Sequence, residues 1–174
     1  MRPVQVLVVL FAVAVLFPAV GAADPPHRGS RQTSKQDVQA IEKVVRDFQL
    51  ALRTKDTKLL SSLMLDSNIV FASPVPPDLT RQARETVDVN FTGLPAGGFG
   101  RFAGFIRESK AVEERFYNVQ ITQDTNLAVV MFDFEFLEAG VIKNRGLEVW
   151  QMMKTPSGWK ILSVVWTSKG PPRQ

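Results

Sequence analysis

The sequence contains no cysteine and a single histidine, His27. The first absence excludes disulfides, thiolate catalysis, cysteine zinc sites and lipid attachment through a leader cysteine. The second excludes any catalytic triad that needs imidazole, and any multi-histidine metal site, because His27 precedes the domain in a polar stretch. Tyrosine is almost absent too, with Tyr117 the one example. The chain also has no basic stripe. Its net charge is +4, but basic residues sit beside acids, as in Arg107-Glu108 and Glu113-Glu114-Arg115. Nucleic acid is therefore not an expected partner. There is no internal repeat and no low-complexity segment.

What is present starts with an apolar leader. Met1-Arg2 is followed by an apolar run from Val4 to Phe17, interrupted by Gln5, then by Pro18 and the small residues Gly21-Ala22-Ala23. A charged start, an apolar centre, a helix breaker and a small-x-small site form the pattern of a secretory signal peptide. Cleavage after Ala23 is expected, which makes the protein periplasmic or extracellular; a retained anchor is the alternative. No later apolar run is long enough to span a bilayer. Residues 24–33 read as a flexible tail and 169–174 as a second one, leaving a domain over 34–168 of ordinary globular composition, 45% hydrophobic and 22% charged over the whole chain.

Within the domain, Ser34 caps a helix and Asp37 completes a capping box. Val38, Ile41, Val45, Phe48 and Leu52 recur at spacings of three and four, one face of a helix. Asp56 caps a second, shorter helix with Leu59, Leu60, Leu63 and Met64 on its buried side. Ile69 to Ala72 is a short strand. Residues 73–100 are rich in proline and glycine and read as a variable segment, either a lid or an insertion, with a helix over Leu79 to Val89. Asn90-Phe91-Thr92 fits the glycosylation pattern. Gly97-Gly98-Phe99-Gly100 lacks the spacing and lysine of a phosphate loop and reads as a hinge before a helix from Arg101 to about Glu114.

Four strands follow: Phe116 to Thr122, in which Phe116 breaks the alternation, Leu127 to Glu138, Arg145 to Lys154 and Trp159 to Ser168. The last two are joined by the turn Thr155-Pro156-Ser157-Gly158. Helices first and an antiparallel meander last is an α+β pattern.

This order resembles the SnoaL-like branch of the nuclear transport factor 2-like superfamily. The residues that carry the likeness are Asp37-Val38-Gln39-Ala40-Ile41 to Phe48, Lys55-Asp56, Asp124 to Val130, Glu148-Val149-Trp150 and Ser157-Gly158-Trp159-Lys160-Ile161. The resemblance implies a cone-shaped, curved antiparallel sheet of four to six strands wrapped around about three N-terminal helices, with an apolar pocket inside. Relatives include isomerases, dehydratases and hydrolases, and also pocket proteins without a known reaction, so fold alone does not give function. In many relatives the last strand carries histidine where this chain has Ser163 and Val165. Neither can act as a base, which places an imidazole-dependent reaction out of reach.

Asp133 and Glu135 share one face of a strand and Glu148 lies on its neighbour. If that face lines the pocket, these carboxylates are the candidate acid–base groups, with Tyr117 as donor to an oxyanion. Ordinary alternation instead places Phe132, Phe134 and Phe136 toward the core and Asp133 and Glu135 toward solvent. Arg145 with Glu148 reads as a surface pair. Trp150, Ser163, Trp166 and Phe105 are the candidate ligand contacts, although Trp150, Trp159 and Trp166 suit a core or interface equally. The expectation is an exported domain that binds a small apolar or amphipathic molecule, or serves as an interaction domain, without a metal or cofactor, and that forms a homodimer through its exposed sheet face. The alternative is a cofactor-independent lyase, isomerase or hydrolase using the pocket carboxylates and Tyr117.

Overall fold

The structure is a computed structural model and describes residues 31–95 and 98–171. The expected leader 1–23, most of the tail 24–33 with His27, Gly97 of the glycine turn and residues 172–174 lie outside the described residues. Among the described residues no helix is long and apolar enough to cross a membrane.

Helix α1 spans Lys35–Thr54. Ser34 caps it as expected, its hydroxyl accepting from the Asp37 N–H at 3.3 Å. The Asp37 carboxylate does something else than close a box. It accepts from the Trp159 indole N–H at 3.0 Å and pairs with Lys154 at 2.7 Å, so it ties the helix start to the last hairpin. Ile41, Val44, Val45, Phe48, Ala51 and Leu52 form the buried face. The helix stops at Lys55, in the left-handed region with φ 57°, whose N–H returns to the Ala51 and Leu52 carbonyls. Helix α2 (Thr57–Leu63) follows, capped by Asp56 accepting from the Leu59 N–H at 2.8 Å.

Strand β1 is Val70–Ala72. Helix α3 (Pro77–Thr86) begins on a proline and buries none of its residues. The segment is held by its own bonds, Val75 N–H to the Gly93 carbonyl and Arg84 to the Phe91 carbonyl, with Gly93 at φ 87°. Helix α4 spans Gly98–Glu108. It therefore starts earlier and ends earlier than its sequence suggests. The reason is pairing: residues from Val112 onward join the sheet, and Val112, Glu114 and Phe116 alternate inward as strand, not helix.

Strands β2 (Val112–Asp124), β3 (Leu127–Glu138), β4 (Val141–Thr155) and β5 (Gly158–Trp166) form an antiparallel meander. β1 adds to β5 in parallel, giving the order β1-β5-β4-β3-β2. Each antiparallel pair contains one register shift. They lie between Tyr117 and Gln120, between Phe136 and Leu137, and between Gln151 and Met152. An extra residue on one strand bends and twists that strand, and three such places curve the sheet. The first, with Asn118 at φ 52°, accounts for the broken alternation at Phe116: inward positions are even-numbered before it and odd-numbered after it, at Ile121 and Gln123.

The concave face holds α1, α2 and α4, whereas α3 buries no residue. Phe48 of α1 sits 4.8 Å from Trp150 of β4 and 6.1 Å from Phe116 of β2, measured between ring centroids. Phe71 stacks on Phe102 at 4.5 Å and meets Trp166 edge-on at 5.2 Å. Curved sheet, enclosed helices and class α+β agree with the expected architecture.

Candidate functional site

The aromatic cluster does not fill the cone. Between α4 and the open end of the sheet lies a cavity of about 180 Å³, lined by Phe71, Phe102, Phe105, Phe134, Phe136, Trp166, Asn144, Glu114 and Glu148. A second lobe of about 290 Å³ shares the walls Phe71, Phe102, Phe105 and Trp166 and continues past Ser73, Pro95, Gly98 and Arg101. For comparison, an apolar cavity of about 150 Å³ suffices to hold a benzene ring.

Two carboxyl groups face this apolar space. Glu148 comes from β4, where inward residues alternate as Gly146, Glu148, Trp150 and Met152. It is 4% exposed, and its Oε1 accepts from the Trp150 indole N–H at 2.5 Å. Glu114 comes from β2 and is 5% exposed. No described residue donates a hydrogen bond to its carboxyl; only its backbone carbonyl is engaged, by Gln49 at 2.9 Å. Removing a carboxylate from water disfavours its charged form. Burial pushes Glu148 up to about 8, against the opposing Trp150 hydrogen bond. Burial, then the charge of Glu148, raises Glu114 well above the ordinary glutamate value. Glu148 thus holds its proton at neutral pH where an isolated glutamate would not, and Glu114 is shifted in the same direction. A third polar atom, the Ser73 hydroxyl of the second lobe, is buried and has no hydrogen-bond partner among the described residues.

The structure separates the residues singled out from sequence. Glu148, Phe105 and Trp166 come together at the cavity. Trp150 is fully buried behind it and touches it through Glu148. Asp133 and Glu135 point to the outer face, while Phe132, Phe134 and Phe136 point inward. Tyr117 lies outside with them, 44% exposed, donating to Glu135 at 2.9 Å. Asn118 donates to Asp133 at 2.8 Å beside it, and Arg145 borders the same shallow recess. Glu148 therefore does not pair with Arg145; adjacent residues of β4 three apart lie on opposite faces. Ser163 pairs across to Gln151 on the outer side and hydrogen-bonds its side chain at 3.1 Å. The bulge at Leu162 reverses the parity of β5, so the inward residues are Val164 and Trp166. These carry no base either.

Glu114 was invisible as a site residue while it read as the end of a helix. The alternation Val112, Glu114, Phe116, continuing the strand backward from Tyr117, is the signal that would have found it.

No family model matches the chain, and no curated protein matches it in sequence. Solved structures do match its fold. A candidate dehydratase of the NTF2-like family from Streptomyces avermitilis superposes with a TM-score of 0.56 at 18% identity, over 82% of this chain and all of that one (100%). A candidate aromatic ring hydroxylase from Novosphingobium aromaticivorans gives 0.57 at 16% identity, over 80% of this chain and 94% of the other. An NTF2-like protein of unknown function from Shewanella baltica gives 0.54 at 14% identity, over 81% and 99%. Identities this low speak to architecture alone, and on that ground the chain has the NTF2-like, cystatin-like fold.

Proposed function

We propose that this chain is a small-molecule-binding domain whose ligand occupies the two-lobed cavity between α4 and the concave sheet face. The observation that carries this reading is the pairing of six aromatic walls with two buried carboxyls in one unfilled space. Apolar cavities of this size with a few convergent polar groups are where small ligands bind. Trp166 borders both lobes, so its emission reports occupancy. A small aromatic probe such as benzyl alcohol is expected to shift tryptophan emission saturably, and the shift should vanish in Trp166→Phe. Saturable binding that leaves the Trp166 contribution untouched would place the ligand elsewhere and sink the reading.

One observation favours a second reading, proton-transfer catalysis. A carboxyl whose proton affinity lies near neutrality, as at Glu148, suits a group that both takes and returns a proton. Two structures of similar fold carry enzyme names, a dehydratase and a ring hydroxylase, and elimination of water is a reaction of that kind. Tyr117 takes no part in it, being bonded to Glu135 on the outer face. Turnover surviving in Glu148→Gln would exclude this role.

The proposal extends to context. The basic start, apolar run and small-residue site of residues 1–23 support export, which mass spectrometry of the protein from its host tests: the mature chain should begin at Asp24. The outer sheet face carries Val129, Met131, Val149 and Val165 side by side across β3, β4 and β5. This apolar row supports a homodimer through that face. Light scattering should give the dimer mass, and Val149→Lys a monomer.

A further inference from the structure

We propose that the cavity takes a lipophilic ammonium ion, an aromatic or alkyl body carrying one positive head that sits between Glu114, Glu148 and the aromatic walls. This deepens the small-molecule reading and rests on it. Four features converge. First, every charged group facing the first lobe is acidic: β2 contributes Glu114 and β4 contributes Glu148. Second, the other elements around that lobe bring no titratable group. β1 contributes Phe71, α4 contributes Phe102 and Phe105, β3 contributes Phe134 and Phe136, and β5 contributes Trp166. From α1, Gln49 reaches only the Glu114 backbone. Third, Glu114 is 5% exposed and lines the cavity, and no described residue donates a hydrogen bond to its carboxyl. Fourth, aromatic faces are electron-rich and attract cations most strongly where water is excluded.

The arrangement also orients the guest. The glutamates lie in the first lobe alone, whereas the second lobe continues past Ser73, Pro95, Gly98 and Arg101. A positive head is drawn to the glutamates of the first lobe, so the apolar body extends toward the second lobe.

Proton balance follows from the same geometry. In the empty cavity Glu148 keeps its proton up to about 8, and burial shifts Glu114 in the same direction, because no cationic side chain lines the lobe beside them. A cation supplies that compensation, so binding ionises one carboxyl and releases its proton to solvent. The burial-raised proton affinity of Glu148, about 8, sets where this matters. Below it, affinity for a permanent cation rises with pH by about tenfold per unit; above it, affinity levels off.

The test compares benzyltrimethylammonium, which cannot lose its charge, with benzyl alcohol, which has none. Tryptophan emission and calorimetry read binding to the full chain and to Glu114→Gln/Glu148→Gln. The expected result is a preference for the cation of about tenfold or more at about pH 8.5, shrinking as pH falls through 8, with about one proton released per cation bound at pH values well below 8. In the double variant the ratio of the two constants should fall to about one. Thermal melting confirms that this variant folds, and the pH series on the natural chain needs no variant. Two results would overturn the inference while sparing the binding reading: benzyl alcohol bound as tightly as the cation at every pH, or a preference retained by the double variant. If neither probe binds, the cavity reading fails and this inference with it.

Discussion

Replacing Glu148 with glutamine should make the protein more stable at mildly alkaline pH. The reasoning starts from its place in the cone, 4% exposed, with one hydrogen bond from Trp150 and an acidic neighbour. In the unfolded chain a glutamate ionises at about 4.5, whereas burial holds the proton on Glu148 to about 8 in the folded chain. Between those values the folded state binds more protons than the unfolded state, so stability falls as pH rises. The contribution is fully present below 4.5 and lost by about 8; at about 1.4 kcal/mol per pH unit, the loss over the window is on the order of 5 kcal/mol. Set against a total of about 5–15 kcal/mol for a domain, that is a large share. Glu114 adds to the slope with the same sign. Glutamine keeps an oxygen for the Trp150 N–H and has no proton to lose. The assay is urea unfolding followed by tryptophan emission, at intervals from about pH 5 to 8.5, on both proteins. The natural chain should lose stability steadily, and Glu148→Gln should lose it with a clearly shallower slope and be the more stable of the two at the alkaline end. Equal slopes for the two proteins, or a flat profile for the natural chain, would refute the argument that burial of this carboxyl governs its proton.

Three further outcomes are expected. Phe48→Ala removes a fully buried ring that touches Trp150, Phe116 and Phe102 and should cost about 3–5 kcal/mol in denaturant unfolding. Gly146→Ala would place a methyl 2.0 Å from the Thr167 carbonyl oxygen, so the chain after β5 must move; a loss of about 1–3 kcal/mol and altered Trp166 emission should accompany it. Asp37 is held below the ordinary aspartate range by hydrogen bonds from Lys154 and Trp159. Its contribution is present above 3.8 and lost as pH falls below, so Asp37→Asn should weaken the fold at neutral pH and flatten the acid limb of the stability profile.

Much of the architecture is legible along the chain because local chemistry and burial agree. The spacing of Ile41, Val45, Phe48 and Leu52 allows one helical face, and Ser34 and Asp56 supply caps that work within three residues. The alternation of Phe132, Phe134 and Phe136 marks the inner face of β3. Boundaries fail where pairing partners are distant. Residues 112–114 continue a spacing that also suits a helix, and only their pairing with β3 makes them strand.

The sequence by itself determined what chemistry is unavailable, no thiol anywhere and no imidazole in the domain, and the α+β order of elements, because composition and short-range periodicity need no partner. The tertiary structure alone decided which carboxylates count. Asp133 and Glu135 have the more conspicuous pattern, yet the pleat turns them outward, whereas Glu148 and the unremarked Glu114 meet inside. Single extra residues at Asn118 and Leu162 reverse the inward parity of their strands, and parity is a property of pairing, not of a strand read alone. Two glutamates from strands that are not neighbours share one cavity because the sheet curves, and that curvature is written in the register shifts between strands.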